Sequence, residues 1–113
     1  MAYDEKLADR VRMALANRKT VEEKKMMGGL TFMVNGKMCV GVHTNEIMCR
    51  IDPEIQEKAL HHKGSRIMDF TGKPMKGFVF VKKEAITAAK DFNYWIDLAL
   101  DFNKKAKASK RRV

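Results

Sequence analysis

The chain has 113 residues, the usual length of one domain built around a single hydrophobic core. Apolar residues make up 45% and charged residues 33% of it, and no apolar run approaches the ~18 residues that a membrane helix needs. The N-terminal segment is not patterned as a secretory signal, and two cysteines are too few for a disulfide framework. We therefore expect a cytoplasmic globular protein without a membrane partner.

The formal net charge of +9 comes mainly from the C-terminal end. Six cations lie within the last ten residues, and subtracting these six from +9 leaves +3, an ordinary surface charge. Basic tails of this kind are typically solvated and flexible. We therefore predict a folded domain over residues 1–103 and a basic flexible tail over residues 104–113, whose cations are Lys104, Lys105, Lys107, Lys110, Arg111 and Arg112.

The first predicted element is an amphipathic helix that Asp4 can cap. Its apolar positions recur at spacings of three and four, and it should run to about Asn17. Residues 21–27 then predict a strand that ends where Gly28 and Gly29 allow a bulge or a bend.

The pair Asn35-Gly36 predicts a tight hairpin, because both central residues of a type I′ turn need positive φ. Residues 30–34 should pair with residues 37–42, with Val34 facing Lys37, Met33 facing Met38 and Phe32 facing Cys39. Both faces of this hairpin are then largely apolar, so it is either covered on both sides or faces a partner. A second turn at Thr44-Asn45 leads into residues 46–51 and brings Cys49 near Cys39.

Asp52-Pro53-Glu54 predicts the start of a short helix that stops at Gly64. The next segments predict a second hairpin, formed by residues 67–70 and 78–81. Its turn falls at residues 71–74, which are rich in turn-forming residues. From about Thr87 a last helix carries an apolar stripe, which consists of Phe92, Trp95, Ile96, Ala99 and Phe102.

The predicted fold is an α+β domain. We expect the order helix, three strands, helix, two strands, helix, with a five-stranded, mainly antiparallel sheet, because the connections between strands are short. The helices should pack against this sheet.

No combination of residues predicts catalysis strongly. A phosphate loop needs a helix directly after its glycines, whereas Gly29 is followed by strand-forming residues. Cys39 and His43 are too far apart along a strand to act as a nucleophile and base, and together with Cys49 they lack the ligand spacing of a zinc site. We therefore expect packed thiols, no catalytic residue, no cofactor and no metal.

Arg50 lies in an otherwise apolar strand segment and has two interpretations. It is an exposed residue of an alternating strand, which we favour, or a ligand anchor that binds an anion. Within the protein, Glu46 or Asp69 could pair with it. The methionines are interpreted first as core packing, and second as an adaptable surface for a partner.

Two segments, EEKKMMGGLTFMVNGKMCVGV and MDFTGKPMKGFVFV, carry motifs in an order that resembles the N-terminal domain of the TfoX/Sxy family, bacterial regulators of competence for DNA uptake. The pattern in that family runs Lys-x-Met-Phe-Gly-Gly, Gly-x-Met, Gly-Val and Asp-Phe-Thr-Gly-Arg-Pro-Met-Lys-Gly-Trp. This chain departs from it at Met27, Lys73 and Phe78. The resemblance implies a stand-alone N-terminal domain with a fold like that of type III secretion chaperones, and no known enzymatic reaction.

Two hypotheses about function follow. The preferred one is a non-enzymatic regulatory domain that acts through a protein partner, with a second copy of the chain among the candidate partners. The alternative is sequence-independent nucleic-acid binding through the basic tail, assisted by Lys24, Lys25, Lys73 and Lys76. A third, weaker hypothesis is a small enzyme or ligand binder that uses the bend at Gly28-Gly29 together with Arg50.

Overall fold

The computed structural model describes residues 3–16, 20–26, 29–70 and 73–105, apart from the side chains of Met26 and of residues 68–70 and 73–76. Three α-helices and six strands follow one another along these residues. They are α1 (Glu5–Ala14), β1 (Val21–Met26), β2 (Gly29–Val34), β3 (Lys37–Val42), β4 (Glu46–Arg50), α2 (Gln56–Ala59), β5 (Ser65–Phe70), β6 (Lys73–Lys82) and α3 (Ala89–Asn103). Short 3-10 helices at Pro53–Ile55 and Lys83–Ile86 precede α2 and α3.

The six strands form one sheet in the order β1-β2-β3-β4-β6-β5, and every neighbouring pair is antiparallel. The predicted α+β class and the antiparallel sheet are confirmed. The expected count of five strands was one too few, because four strands and not three precede α2. The first two of them, β1 and β2, pair with each other from Val21↔Val34 to Met26↔Gly29. Gly28 lies outside the described residues.

The predicted caps are present at the first two helices. The Asp4 carboxylate accepts a hydrogen bond from the Leu7 amide at 3.1 Å, and Asp52 accepts one from the Glu54 amide at 2.9 Å. The second helix is shorter than expected, since the segment begins as a 3-10 turn and continues for one α-helical turn only. Gly64 then turns the chain with φ of 82° into β5. The predicted end of the first helix, Asn17, lies outside the described residues.

The β2–β3 hairpin has the predicted turn, with positive φ at both Asn35 and Gly36. The pairs Val34↔Lys37 and Met33↔Met38 are confirmed. The predicted pair of Phe32 with Cys39 is wrong, because a bulge between Phe32 and Met33 shifts the register and places Phe32 opposite Val40. Phe32 and Cys39 both belong to the main core.

The main core lies between one face of the sheet and the helices. Alternate strand residues contribute to it, and α3 supplies Phe92, Trp95, Ile96 and Ala99 as the sequence predicts. Phe102, the fifth member of the predicted stripe, is only partly buried. The stripe therefore leaves the core at the last turn of α3, next to the C-terminal end of β4 and the start of the basic tail.

Candidate interaction surfaces

The face of the sheet that points away from the helices carries a separate apolar cluster. Met48 and Phe80 form its buried centre, and Met38 and Phe78 pack against them with partial exposure. The centre belongs to a cross-strand row in which Gly41, Met48, Phe80 and Arg66 lie opposite one another on β3, β4, β6 and β5. Among the described residues, no helical side chain belongs to this cluster, and we call its surface the open face.

Polar side chains surround Phe80 on the open face. The Arg66 guanidinium lies 4.6 Å from the centre of the Phe80 ring and donates to both Glu46 carboxylate oxygens, at 3.0 and 3.1 Å. The His43 ring meets Phe80 edge-on at 5.4 Å between ring centres. Burial lowers the pKa of His43, and the neighbouring Glu46 carboxylate opposes this effect only in part. The open face thus presents a cation, a carboxylate and a neutral imidazole around an aromatic ring.

A second feature is a cleft of about 110 Å³ at the C-terminal end of β4, lined by Arg50, Ile51, Pro53, Gly77, Phe78 and Phe102. The Arg50 guanidinium is half-buried and lies 5.7 Å from the Phe78 ring centre and 5.6 Å from that of Phe102. Burial lowers the pKa of Arg50. Glu46, one of the two carboxylates expected to pair with Arg50, binds Arg66 instead; the side chain of Asp69 lies outside the described set.

The basic tail starts beside this cleft. Lys104 and Lys105 are exposed just after α3, and the Lys105 ammonium lies 2.6 Å from the Asp52 carboxylate. Hydrogen bonding to Lys105 is the main reason that the pKa of Asp52 is lowered. On the other side of the helix end, Lys37 donates to the Asn103 carbonyl oxygen at 3.1 Å. The remaining predicted tail cations, Lys107, Lys110, Arg111 and Arg112, lie outside the described residues.

Gly29 begins a strand and not a helix. Its backbone packs so closely against the Val42 carbonyl that an added Cβ would overlap this group. Glycine is therefore needed here for close backbone approach across the β2–β3 pair. The interpretation of this glycine as a folding device is confirmed.

Both cysteines are packed in the core, whereas His62 is exposed and lies against an aromatic ring. Cys39 and Cys49 are fully buried, and burial raises the pKa of the Cys49 thiol, as expected for packed thiols. His62 stacks on Tyr94, with 4.2 Å between ring centres. Within residues 3–16, 20–26, 29–70 and 73–105, no group of three or more histidine, cysteine or carboxylate side chains is placed to hold a metal ion.

One family model matches the part of the chain that contains the motifs, the sheet and the last helix. The model of the TfoX N-terminal domain covers residues 13–103. The chain belongs to the TfoX N-terminal domain family. The match spans every element from the end of α1 to the end of α3, and it stops where the predicted tail begins. No curated protein and no solved structure matched the chain.

The boundary between a folded part and a flexible tail at residue 104 stays a prediction, and so does the likeness to secretion chaperones. None of the helices in the described part of this TfoX-type domain has the length and apolar character needed to cross a membrane.

Sequence reasoning missed the group formed by Arg66, Glu46 and Phe80. Arg66 precedes a bulge between Ile67 and Met68, and this irregularity sets which residue of β6 it faces. The alternation of Arg66 with Ile67 and the turn that follows predict a hairpin, but not its register. The partner of Arg66 therefore becomes visible only in the folded sheet.

Proposed function

We propose that this TfoX-type domain is a non-enzymatic regulatory domain that works by binding another protein. Membership of the TfoX N-terminal domain family is the observation that carries the proposal. The burial of both cysteines supports it, because these thiols are packed within the core. A part in transcription regulation of competence, in the cytoplasm, belongs to the same proposal.

The open face is the proposed binding surface. Met38 and Phe78 give it partly exposed apolar side chains of adaptable shape, and Arg66 gives it an exposed cation over an aromatic ring. A segment with apolar side chains flanked by carboxylates complements this surface in both shape and charge. We therefore expect a protein partner that presents such an acidic and apolar segment.

Site-specific photocrosslinking in the native cells tests the proposal. A benzophenone amino acid in place of Met38 should crosslink to one partner, whereas the same group at Met13, which is 78% exposed on α1, should not. The purified partner should then bind the wild-type chain, and Arg66→Glu should weaken this binding at least about tenfold. Lys90→Glu, an exposed charge reversal at the start of α3, serves as the matched control.

Two results would contradict this proposal. One is an identical set of crosslinked proteins from positions 13 and 38. The other is equal affinity of the Arg66→Glu and Lys90→Glu variants for the purified partner.

A second candidate function is sequence-independent binding of nucleic acid by the basic tail. The placement of exposed Lys104 and Lys105 at the end of α3 favours it, because the tail cations continue directly from them. Replacing Lys107, Lys110, Arg111 and Arg112 by glutamine in the full chain should abolish binding and its salt dependence. A gel-shift series over increasing salt compares this variant with the wild type. Equal binding by the two would show that the tail does not bind the nucleic acid.

A further inference from the structure

We propose that two copies of this chain associate through β1, whose strands pair antiparallel and join the two sheets edge to edge. β1 is an outer strand of the sheet, and in the described part of the chain no strand pairs with its outer side. The partner that fits this edge is a second copy of the same strand. The inference does not rest on the proposed function, since it concerns the edge of the sheet and not the open face.

The outer side of β1 presents main-chain groups to a further strand. The Asn35 amide donates to the Thr20 carbonyl at 2.9 Å, which continues the register of β1 with β2 by one position. Hydrogen-bonded and non-hydrogen-bonded pairs alternate along an antiparallel ladder. The amides and carbonyls of Val21, Glu23 and Lys25 therefore point away from β2, where another strand can bind them.

The order of charges along β1 suits pairing with a copy of itself. The strand reads Val-Glu-Glu-Lys-Lys-Met, and its four charged side chains are exposed. Two identical antiparallel strands related by a two-fold axis must place one residue opposite itself. When Glu23 is that residue, Glu22 of each copy faces Lys24 of the other. This is a non-hydrogen-bonded pair, in which side chains approach each other most closely, so it suits an ion pair.

Glu23 meets its own copy at the two-fold axis, and Arg12 reduces the resulting repulsion. The Arg12 guanidinium donates to both carboxylate oxygens of Glu23, at 2.6 and 2.8 Å. A register centred on Lys24 would instead set two lysines opposite each other, and one centred on Glu22 would oppose two glutamates. Neither of these side chains has an ion pair within the described residues. The register centred on Glu23 is therefore the favourable one.

The two ion pairs and the helices lie on opposite sides of the joined sheet. Glu23 points towards the helices, because it binds Arg12 of α1. Side chains alternate along a strand, so Glu22 and Lys24 point to the other side. One strand from each copy then supplies about six main-chain hydrogen bonds. Such a contact lies at the small end of specific interfaces, and we expect a dissociation constant of about 10–100 µM.

Sedimentation equilibrium of the full chain tests the dimer and its ion pairs. Glu22→Lys should raise the dissociation constant about tenfold or more, because it sets like charges opposite each other at both symmetric positions. Lys24→Glu should do the same. The double variant exchanges the two charges, so it restores the attraction and should return to within about threefold of the wild type.

Matched controls separate this contact from a change in net charge and from the open face. Glu57→Lys on α2 and Lys90→Glu on α3 reverse exposed charges away from β1 and should leave the dissociation constant unchanged. Arg66→Glu changes the open face and should leave it unchanged as well. Melting curves verify that each variant is folded.

Disulfide crosslinking tests the register. In the proposed pairing, the Cα atoms of residue 22 in one copy and residue 24 in the other are about 4.5 Å apart, within the reach of a disulfide. A mixture of Glu22→Cys and Lys24→Cys chains should therefore crosslink under mild oxidation. Either variant alone should not, because its two cysteines lie diagonally, about 7–8 Å apart. Cys39 and Cys49 are buried and should take no part.

Each remaining outcome overturns a stated part of the proposal. A wild type that stays monomeric at every concentration overturns the dimer. Loss of association in both single charge variants without recovery in the double variant overturns the ion pairs. Crosslinking by Lys24→Cys alone overturns the register centred on Glu23. A dimer that Arg66→Glu weakens as much as Glu22→Lys does would lie on the open face and not at the edge of the sheet.

Discussion

Gly29 and Val42 touch through their backbones, with the Val42 carbonyl occupying the space where a side chain of residue 29 would begin. The contact joins the start of β2 to the end of β3, and it lies beside the His43 ring. Gly29, the second glycine of the pair that first suggests a phosphate loop, therefore serves the close approach of two strands.

Gly29→Ala should destabilise the domain by about 1–3 kcal/mol or more, because the backbone of Val42 cannot move aside as a flexible side chain could. Chemical denaturation measures this change in the free energy of unfolding. Gly41→Ala is the matched control within the same sheet, since its Cβ would only make ordinary contacts with the Met48 side chain. Equal stability of Gly29→Ala and the wild type would contradict the steric explanation.

Asn103 connects the end of α3 to the β2–β3 hairpin. Its buried side-chain amide donates to the Val34 carbonyl at 3.1 Å. Asn103→Leu should cost about 1–3 kcal/mol, because it leaves a buried carbonyl without this donor. Asn93→Leu, an exposed change on the same helix, should stay within about 0.5 kcal/mol of the wild type in the same denaturation experiment. A similar loss in both variants would rule out the hydrogen bond as the cause.

His43 should make stability fall as the solution is acidified. Burial lowers its pKa in the folded protein below the ordinary value of about 6.5, so the unfolded chain binds the proton more readily. The His43 contribution is therefore fully present above about pH 7.5 and is lost as pH falls through about 6.5 towards the folded pKa. Melting temperatures of His43→Gln should depend less on pH over this range than those of the wild type.

Replacing His61 provides the comparison for that experiment, since this residue is exposed after α2. His61→Gln controls for the loss of an imidazole at an exposed position. If His43→Gln keeps the wild-type pH dependence, His43 is not the group responsible.

Both thiols should be unreactive in the native protein. Cys39 and Cys49 are fully buried, and burial raises the pKa of Cys49, so little thiolate is accessible to reagent at neutral pH. A disulfide-exchange reagent should release almost no colour from the folded chain and two equivalents after denaturation in guanidinium. Rapid labelling of one cysteine in the native state would contradict the prediction that both thiols are unreactive.

Local signals in the sequence predicted much of the fold. Asp4 and Asp52 act as the caps that their positions indicate, and Asn35-Gly36 forms the expected turn, because each depends on residues close together in the chain. The spacing of Phe92, Trp95, Ile96 and Ala99 likewise predicted the buried side of α3. The same pattern failed at Phe102, since periodicity shows which side of a helix is apolar but not where the core ends.

The candidate sites were less predictable. The sequence marks Arg50 as a cation within an apolar strand. It does not show that Arg50 of β4 lies near Phe78 of β6 and Phe102 of α3. The contact of Arg66 with Phe80 depends equally on how β5 and β6 pair. Such groups form between segments far apart in sequence, and no local pattern encodes them.

The sequence by itself thus determined the helices and most of the strands, the hairpin turn, the burial of the thiols and, through its motifs, the family. Only the tertiary structure determined the order of the six strands, the bulge that separates Phe32 from Cys39, and the aromatic rings that Arg50 and Arg66 contact. The physical reason is that turns and caps are set by the backbone preferences of a few neighbouring residues. Strand register and the packing of side chains on the sheet are instead set by the free energy of the whole folded domain.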